Sequence, residues 1–221
     1  MMSEKENMSA GRLFNPFDAE LVQDKAKAQD LLYQINRLHP SQQAEKTALF
    51  QQLLQIARDD FTIELPFRCE YGFNVRIGRN FYANYNCTML DNAAISIGEN
   101  VMIAPNVSLF TAAHPVDPDY RRRGIFALPI TIGDNVWIGG NSVVMPDVTI
   151  GNNVVIGAGS VVTKDIPDNV ITVGNPCKVL RRLNDNDKVY YFKERPFPAE
   201  FHSMIAEFLA AEQQSGANHE Q

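Results

Sequence analysis

Between Ile132 and Val162 an aliphatic residue recurs at every sixth position, at Ile132, Ile138, Val144, Ile150, Ile156 and Val162, and Gly follows four of these six. Strand side chains alternate between two faces, so a step of six residues returns every one of them to the same face. On an α-helix the same step would scatter them around the axis. The beat therefore predicts a coil of short strands in which each turn buries its apolar ladder only by stacking on its neighbours: a β-helix. A less regular half precedes it. Ile77, Ala83, Met89 and Ile95 keep the step, which slips by two residues and resumes at Ile97, Ile103 and Leu109. A slip of two preserves the inward face and predicts one lengthened or bulged corner. The runs Gly133-Asp134-Asn135 and Gly151-Asn152-Asn153 suit tight corners. A β-sandwich of alternating strands is the rival architecture, and a constant six-residue step speaks against it.

At 221 residues, 45% hydrophobic and 21% charged, the chain suits one globular domain with small appendages. A net charge of −6 argues against a general surface for nucleic acid or anionic membranes. The opening Met1 to Asn7 has no apolar core and no stretch is long enough to span a bilayer, so a cytoplasmic protein is expected. Cys69, Cys87 and Cys177 are odd in number and widely spaced, which predicts reduced thiols, with Cys87 a small core residue of the coil.

Three parts are expected: an N-terminal helical segment over 1–60, the β-helix over 61–183 with an inserted loop at 111–128, and a helical extension with a tail over 184–221. In the first part Leu21, Ala28, Leu31, Leu32 and Ile35 form an apolar stripe broken at Lys25, with Asp18 placed as its cap. His39-Pro40-Ser41 ends that helix before a second stripe at Ala48, Leu49, Leu53 and Ile56. Residues 61–74 read as a lead-in to the repeats. The loop carries His114-Pro115, Pro118, three consecutive arginines at 121–123 and Gly124; an insertion of this length in a regular coil is usually functional. Ala199 to Ala211 reads as a closing amphipathic helix before a polar, disordered tail.

The blocks Met8-Ser9-Ala10-Gly11, Asn80-Phe81-Tyr82-Ala83-Asn84, Ile103-Ala104-Pro105-Asn106, His114-Pro115, Asn135-Val136-Trp137-Ile138-Gly139-Gly140 and Gly157-Ala158-Gly159, followed by Gly174-Asn175-Pro176, occur in this order. Together they resemble the maltose and galactoside O-acetyltransferases among the bacterial hexapeptide-repeat acyltransferases, over residues 8–183. The resemblance implies a left-handed parallel β-helix, a homotrimer with sites between subunits, acetyl-CoA as donor and a sugar hydroxyl as acceptor, with no metal. The handedness runs against the general rule for parallel crossovers and comes from the family alone.

Of the four histidines, His39 lies between helices, His202 in the terminal helix and His219 in the tail. His114 remains, at the root of the insertion, and an imidazole suits removal of the hydroxyl proton as the new ester forms. By resemblance, the Gly140 amide donates to the developing oxyanion. Asn84 matches an acceptor-binding residue with Tyr82 near it, and Glu70 and Asn92 fall at acceptor positions where residue type varies. A corner asparagine is the bland reading of Asn84. Ala158, Thr163, Lys164, Lys178 and Arg181 match coenzyme A contacts, where Lys and Arg pair with phosphate, although any one of them could be a solvated charge. Trp137, the only tryptophan, fits either the donor cleft or subunit packing. A zinc hydratase on the same coil would need three histidines and only one lies in the coil. A non-enzymatic scaffold would have no use for His114, Asn84 and Lys164 together. The nearer alternative is acetylation of another alcohol: a lipo-oligosaccharide, a nucleotide-linked sugar or an antibiotic. The segment from Glu194 onward fits capping of the coil or binding of a partner equally well.

Overall fold

A computed structural model describes residues 2–217, which fall into two compact units divided between Arg182 and Leu183. The first unit is a parallel β-helix with three faces. Face 1 stacks Phe61–Ile63, Phe81–Ala83, Met102–Ile103, Trp137–Ile138, Val155–Ile156 and Val170–Val173, with Lys178–Arg182 folded back antiparallel on its edge. Face 2 stacks Phe67–Cys69, Cys87–Leu90, Ser108–Phe110, Val143–Val144 and Val161–Val162, and face 3 stacks Val75–Ile77, Ile95–Ile97, Ile130–Ile132 and Val148–Ile150.

The six-residue beat becomes three vertical columns, one per face. Ile97, Ile132 and Ile150 stack on face 3, Ile103, Ile138 and Ile156 on face 1, and Leu109, Val144 and Val162 on face 2, all at most 5% exposed. Burying each such side chain contributes roughly 1.5–3 kcal/mol, so a coil is stable only between neighbours. The face 1 column ends on Thr172, a buried hydroxyl that donates to the Val155 carbonyl at 3.4 Å.

Coil length varies, and the variation is confined to one place. An asparagine occupies the corner between faces 3 and 1 in every coil, Asn80, Asn100, Asn135, Asn153 and Asn169, separated by 20, 35, 18 and 16 residues. All five have φ between 55° and 61°, which Asn tolerates better than other side-chain-bearing residues. Each amide donates to the next at 2.9–3.2 Å, forming a ladder up the corner. The surplus in the long coils lies wholly at the corner between faces 2 and 3, in Glu70–Asn74, Asp91–Ala94 and the insertion at 111–129. This is the lengthened corner that the slip at Ile95 and Ile97 predicts.

Two sequence expectations shift. The coil begins at Phe61, not after a lead-in, because Phe67 and Phe81 stand inward where later coils place aliphatics. Their bulk meets the helices: the Phe50 ring lies edge-on to Phe67 with centroids 5.6 Å apart. The helices are α1 (Glu4–Ser9), α2 (Ala19–Ile35) and α3 (Gln43–Leu54). Asp18 caps α2 by accepting from the Glu20 amide at 3.0 Å, and Leu21, Ala28, Leu32 and Ile35 are buried as their spacing predicts. On α3 the buried face is Lys46, Phe50, Leu53 and Leu54, with Ala48 exposed. The aromatic ring at 50 sets that rotation, outweighing the small Ala48. Gly72, at φ +81°, sits where a Cβ would meet the Leu53 carbonyl at 2.6 Å, so the first long corner is pressed against the end of α3.

The second unit contains α4 (Asn186–Val189), a hairpin of Tyr190–Phe192 with Arg195–Pro196, and α5 (Ala199–Ala217), in which Phe197 stacks on Phe201 at 5.3 Å. Helix α5 runs six residues beyond the Ala211 end read from its pattern, because Glu212-Gln213-Gln214 are good helix formers that carry no apolar signal. The remainder of the expected disordered tail, 218–221, lies outside the described residues. Among the described residues no helix is long and apolar enough to cross a membrane.

Candidate active site

The long corner is held by buried polar clamps. Asp91, fully buried, accepts from the amides of Glu70 at 2.9 Å, Tyr71 at 2.8 Å and Asn74 at 3.3 Å, all in the coil before it. Burial pushes the Asp91 carboxyl upward in pKa, against the three N–H donors that stabilise its charge. One coil on, the buried Thr111 hydroxyl donates to the Leu90 carbonyl at 2.6 Å and accepts from the Ala93 amide at 2.9 Å. The loop bearing Glu70, the loop bearing Asn92 and the root of the insertion are thus fixed in one stack.

From that root Ala112–Ala113 pairs antiparallel with Phe126–Ala127, and Phe14 exchanges hydrogen bonds with Ile125 at 2.9 and 3.1 Å. Met8, Phe14, Leu21, Tyr71, Ile125 and Ala127 form a second small core beneath it. The N-terminal segment therefore anchors the insertion, a role its sequence did not reveal. His114 follows the last paired residue of the outgoing strand, is exposed, and makes no hydrogen bond among the described residues. Asn92 is 4% exposed, yet its amide also finds no partner among them. No buried side-chain nitrogen or oxygen lacks a partner among the described residues, so the little surface that Asn92 keeps lies at its amide, which is open to solvent.

The remaining expected residues gather elsewhere. Asn84, Gly140 and Ala158 stack on the corner between faces 1 and 2, and Tyr82 and Trp137 stand outward on face 1. Asn84 is half-buried, and its side-chain oxygen accepts from the Tyr85 amide at 2.8 Å. Burial and the Glu64 carboxylate raise the Tyr82 phenol. The Gly140 amide makes no hydrogen bond among the described residues, while its carbonyl accepts from Gly159 at 2.9 Å. Buried hydroxyls brace this corner: Ser142 donates to the Gly139 carbonyl at 2.6 Å and Ser160 to that of Gly157 at 2.5 Å. At Gly139 a Cβ would fall 2.6 Å from the Ala158 amide nitrogen, so close stacking requires glycine there. Trp137 is 50% exposed and Met102, directly below it, 53%.

Thr163 and Lys164 lie past the last strand of face 2, and Lys178 and Arg181 on the antiparallel edge strand of face 1; all four are exposed. Within one protomer the expected residues therefore form two groups with face 2 between them. Glu70, Asn92, His114, Thr163 and Lys164 follow one corner, and Tyr82, Asn84, Trp137, Gly140, Ala158, Lys178 and Arg181 the other corner and its outer face.

A model described as bacterial transferase hexapeptide (six repeats) matches residues 129–164, and one described as a maltose acetyltransferase hexapeptide capping motif matches residues 7–56. The galactoside O-acetyltransferase of Escherichia coli K12 is 46% identical over 194 residues, covering 87% of this chain and 96% of that one. The chain belongs to the hexapeptide-repeat acetyltransferases. Among solved members of that family, a maltose O-acetyltransferase from Clostridium difficile 630 superposes with TM-score 0.81 at 43% identity, over 83% of this chain and 98% of the other. A galactoside acetyltransferase in complex with coenzyme A does so with TM-score 0.83 at 41% identity, over 90% and 100%.

Sequence reasoning missed Asp91, Thr111 and the partner of Glu70. Lys25, the residue that breaks the stripe of α2, holds the Glu70 carboxylate at 2.7 Å. A lone cation inside an apolar stripe was the available signal. Two of the three cysteines are buried thiols: burial raises Cys87 to about 11 and pushes Cys69 well above the usual thiol range.

Proposed function

We propose that the chain is an acetyl-CoA-dependent sugar O-acetyltransferase whose site is completed by a neighbouring subunit of a homotrimer. The separation of the two groups by face 2 carries this reading. In each group the acceptor residues lie on early coils and the donor residues on late ones. Docking the long corner of one protomer beside face 1 of the next in parallel would form one cleft with acceptor at one end and coenzyme at the other.

In that cleft His114 removes the proton of the acceptor hydroxyl as its oxygen attacks the thioester carbonyl, and later delivers it to the departing thiolate. The unpaired Gly140 amide donates to the oxyanion, and its missing side chain lets the thioester approach. Asn84, Asn92, Tyr82 and Glu70 orient the sugar. Lys164, Lys178 and Arg181 pair with the coenzyme's phosphates, with Thr163 beside them and Ala158 leaving room for the pantetheine arm. Trp137 offers its exposed face to the donor.

Subunit mixing tests the composite site. His114→Ala and Asn84→Ala proteins, each inactive alone, are unfolded, mixed and refolded, and thiol release from acetyl-CoA is followed with maltose, glucose, a galactoside and chloramphenicol. About a quarter of the interfaces in a random mixture join an intact His114 to an intact Asn84, so activity returns with a sugar acceptor. Persistent inactivity of mixed trimers places both residues in a single-subunit site and removes this reading.

A further inference from the structure

A groove of about 640 Å³ lies on the flank of α2 that faces the C-terminal end of α3, with Tyr71 and Phe73 of the first long corner as its floor. No residue of faces 1 or 2 lines it, so it stands apart from the surfaces that the proposed trimer brings together. Its volume is that of a small-molecule site, ~300–1,000 Å³.

Most of the charges along this flank are already paired within the protein. Asp24 accepts from Lys5 at 2.6 Å and from Lys27 at 3.0 Å, and Lys5 also meets Glu20 at 3.3 Å. What stays open is one-sided. The Asp30 carboxylate and the side-chain amides of Gln52 and Gln55 are exposed at the groove and have no partner among the described residues. Tyr71 is only 4% exposed, and its hydroxyl is unbonded as well. No fully buried side-chain oxygen lacks a partner among the described residues, so the surface that Tyr71 keeps lies at that hydroxyl, where it opens into the groove. Burial, and then the carboxylates of Glu70, Asp91 and Asp24, raise the Tyr71 phenol, which stays neutral. Gln55 closes α3 in the left-handed region at φ 55°, where glycine is usual, so its side chain is kept at a conformational cost.

Each of the four open groups offers an oxygen that accepts hydrogen bonds, one of them bears a full negative charge, and both lysines in the walls are paired. Between them Ala28, Leu31 and Leu53 form an apolar strip. Acceptors around an apolar strip suit ammonium groups carried on a methylene chain. The groove follows α2 from Asp24 to Gln34, roughly 15 Å at 1.5 Å per residue, which leaves room for more than one ammonium. The net charge of −6 favours the approach of a polycation.

We infer that this groove binds an aliphatic polyamine and that its occupancy is felt at the acceptor end of the active site. The route is short. Tyr71 lies between Glu70 and Gly72, which is pressed against the Leu53 carbonyl, and one Asp91 oxygen accepts from the amides of both Glu70 and Tyr71. A ligand bonded to the Tyr71 hydroxyl therefore acts on the loop that carries Glu70. The coupling rests on the reading of the chain as a sugar acetyltransferase; the binding does not.

Spermidine is the probe, titrated calorimetrically into the full-length protein at about 0.15 M salt, with magnesium ion as the control for unspecific attraction to an acidic chain. One spermidine binds per subunit, and magnesium does not displace it. Asp30→Asn loses about tenfold in affinity and Tyr71→Phe about fivefold, the effects of one charged and one neutral hydrogen bond. Gln55→Gly binds about threefold more weakly yet melts at a higher temperature, since glycine takes the left-handed backbone without strain. Saturating spermidine shifts the KM for maltose by at least about twofold in the parent, and Asp30→Asn abolishes that shift at the same concentration. Displacement by magnesium, or equal affinities in the parent and all three variants, overturns the site. Saturable binding with KM unchanged overturns the coupling and keeps the site. Absence of turnover with every sugar removes the acetyltransferase reading, and the coupling with it, while the binding result stands.

Discussion

Two corners of the same coils have been built to opposite rules. Between faces 3 and 1 every coil presents one asparagine in the left-handed region, bonded amide to amide with the next. Between faces 2 and 3 the first two coils match but the third carries the long insertion and the later ones are shorter, and the fixing groups are single buried side chains, Asp91 and Thr111. A stacked coil needs alignment at two corners to keep its ladder in register. The third is then free to vary, and it carries His114, Asn92 and Glu70.

The sharpest way to break that division is to damage the ladder and the loop separately. Ile138→Ala, in the centre of the face 1 column, should cost about 2–5 kcal/mol in a denaturant titration, since coils on either side hold the cavity open. His114→Ala should cut thiol release at least about a hundredfold, roughly 2.7 kcal/mol of transition-state stabilisation, while leaving the melting temperature unchanged, because the imidazole is exposed and unbonded. Retention of most activity would remove His114 as the base.

Asn135→Ala lies between these. It loses hydrogen bonds to Asn100 and Asn153 and forces a Cβ-bearing residue with no polar side chain to φ 55°, for an expected loss of about 2 kcal/mol with kcat untouched. At the insertion's tip, Val116→Ala should change stability by less than about 0.5 kcal/mol, since Val116 is 92% exposed. A large effect there would mean that the loop supports the fold.

The N-terminal helices supply a pH comparison. Hydrogen bonding from Lys5, then from Lys27, holds Asp24 below the usual carboxylate range. A depressed folded-state pKa stabilises above the unfolded value near 3.8, and that contribution fades as pH falls through the folded value. Asp24→Asn should therefore destabilise the protein by about 0.5–1 kcal/mol at pH 7, the worth of a partly exposed pair, and the gap to the parent should close as the pH falls from the unfolded value through the lowered folded one. A gap that persists there would mean the loss is one of packing.

The periodic part of the molecule was legible because the rule that builds it is local: one inward residue every six, and a corner residue that tolerates positive φ. The slip between Ile95 and Ile97 also told which kind of defect to expect. On α3 only Ala48 departs from its expected burial, since Leu53 is buried and Leu49 and Ile56 pack against the core; there and in the first turns of the coil, large aromatics, Phe50, Phe67 and Phe81, take places that the pattern reserves for aliphatics. Asp91 and Thr111 gave no signal, since an Asp or Thr in a loop reads as solvent-facing until the neighbouring coil is seen to bury it.

The sequence by itself determined the stacked coil and the family, through a six-residue step and motif blocks that need no knowledge of distant contacts. Only the tertiary structure decided that the predicted site residues divide between two corners, that Lys25 faces Glu70, and that the N-terminal segment holds the insertion at Phe14 and Ile125. These depend on how far apart in the chain two residues can be and still meet. Spacing along a sequence carries that information only where the repeat is unbroken.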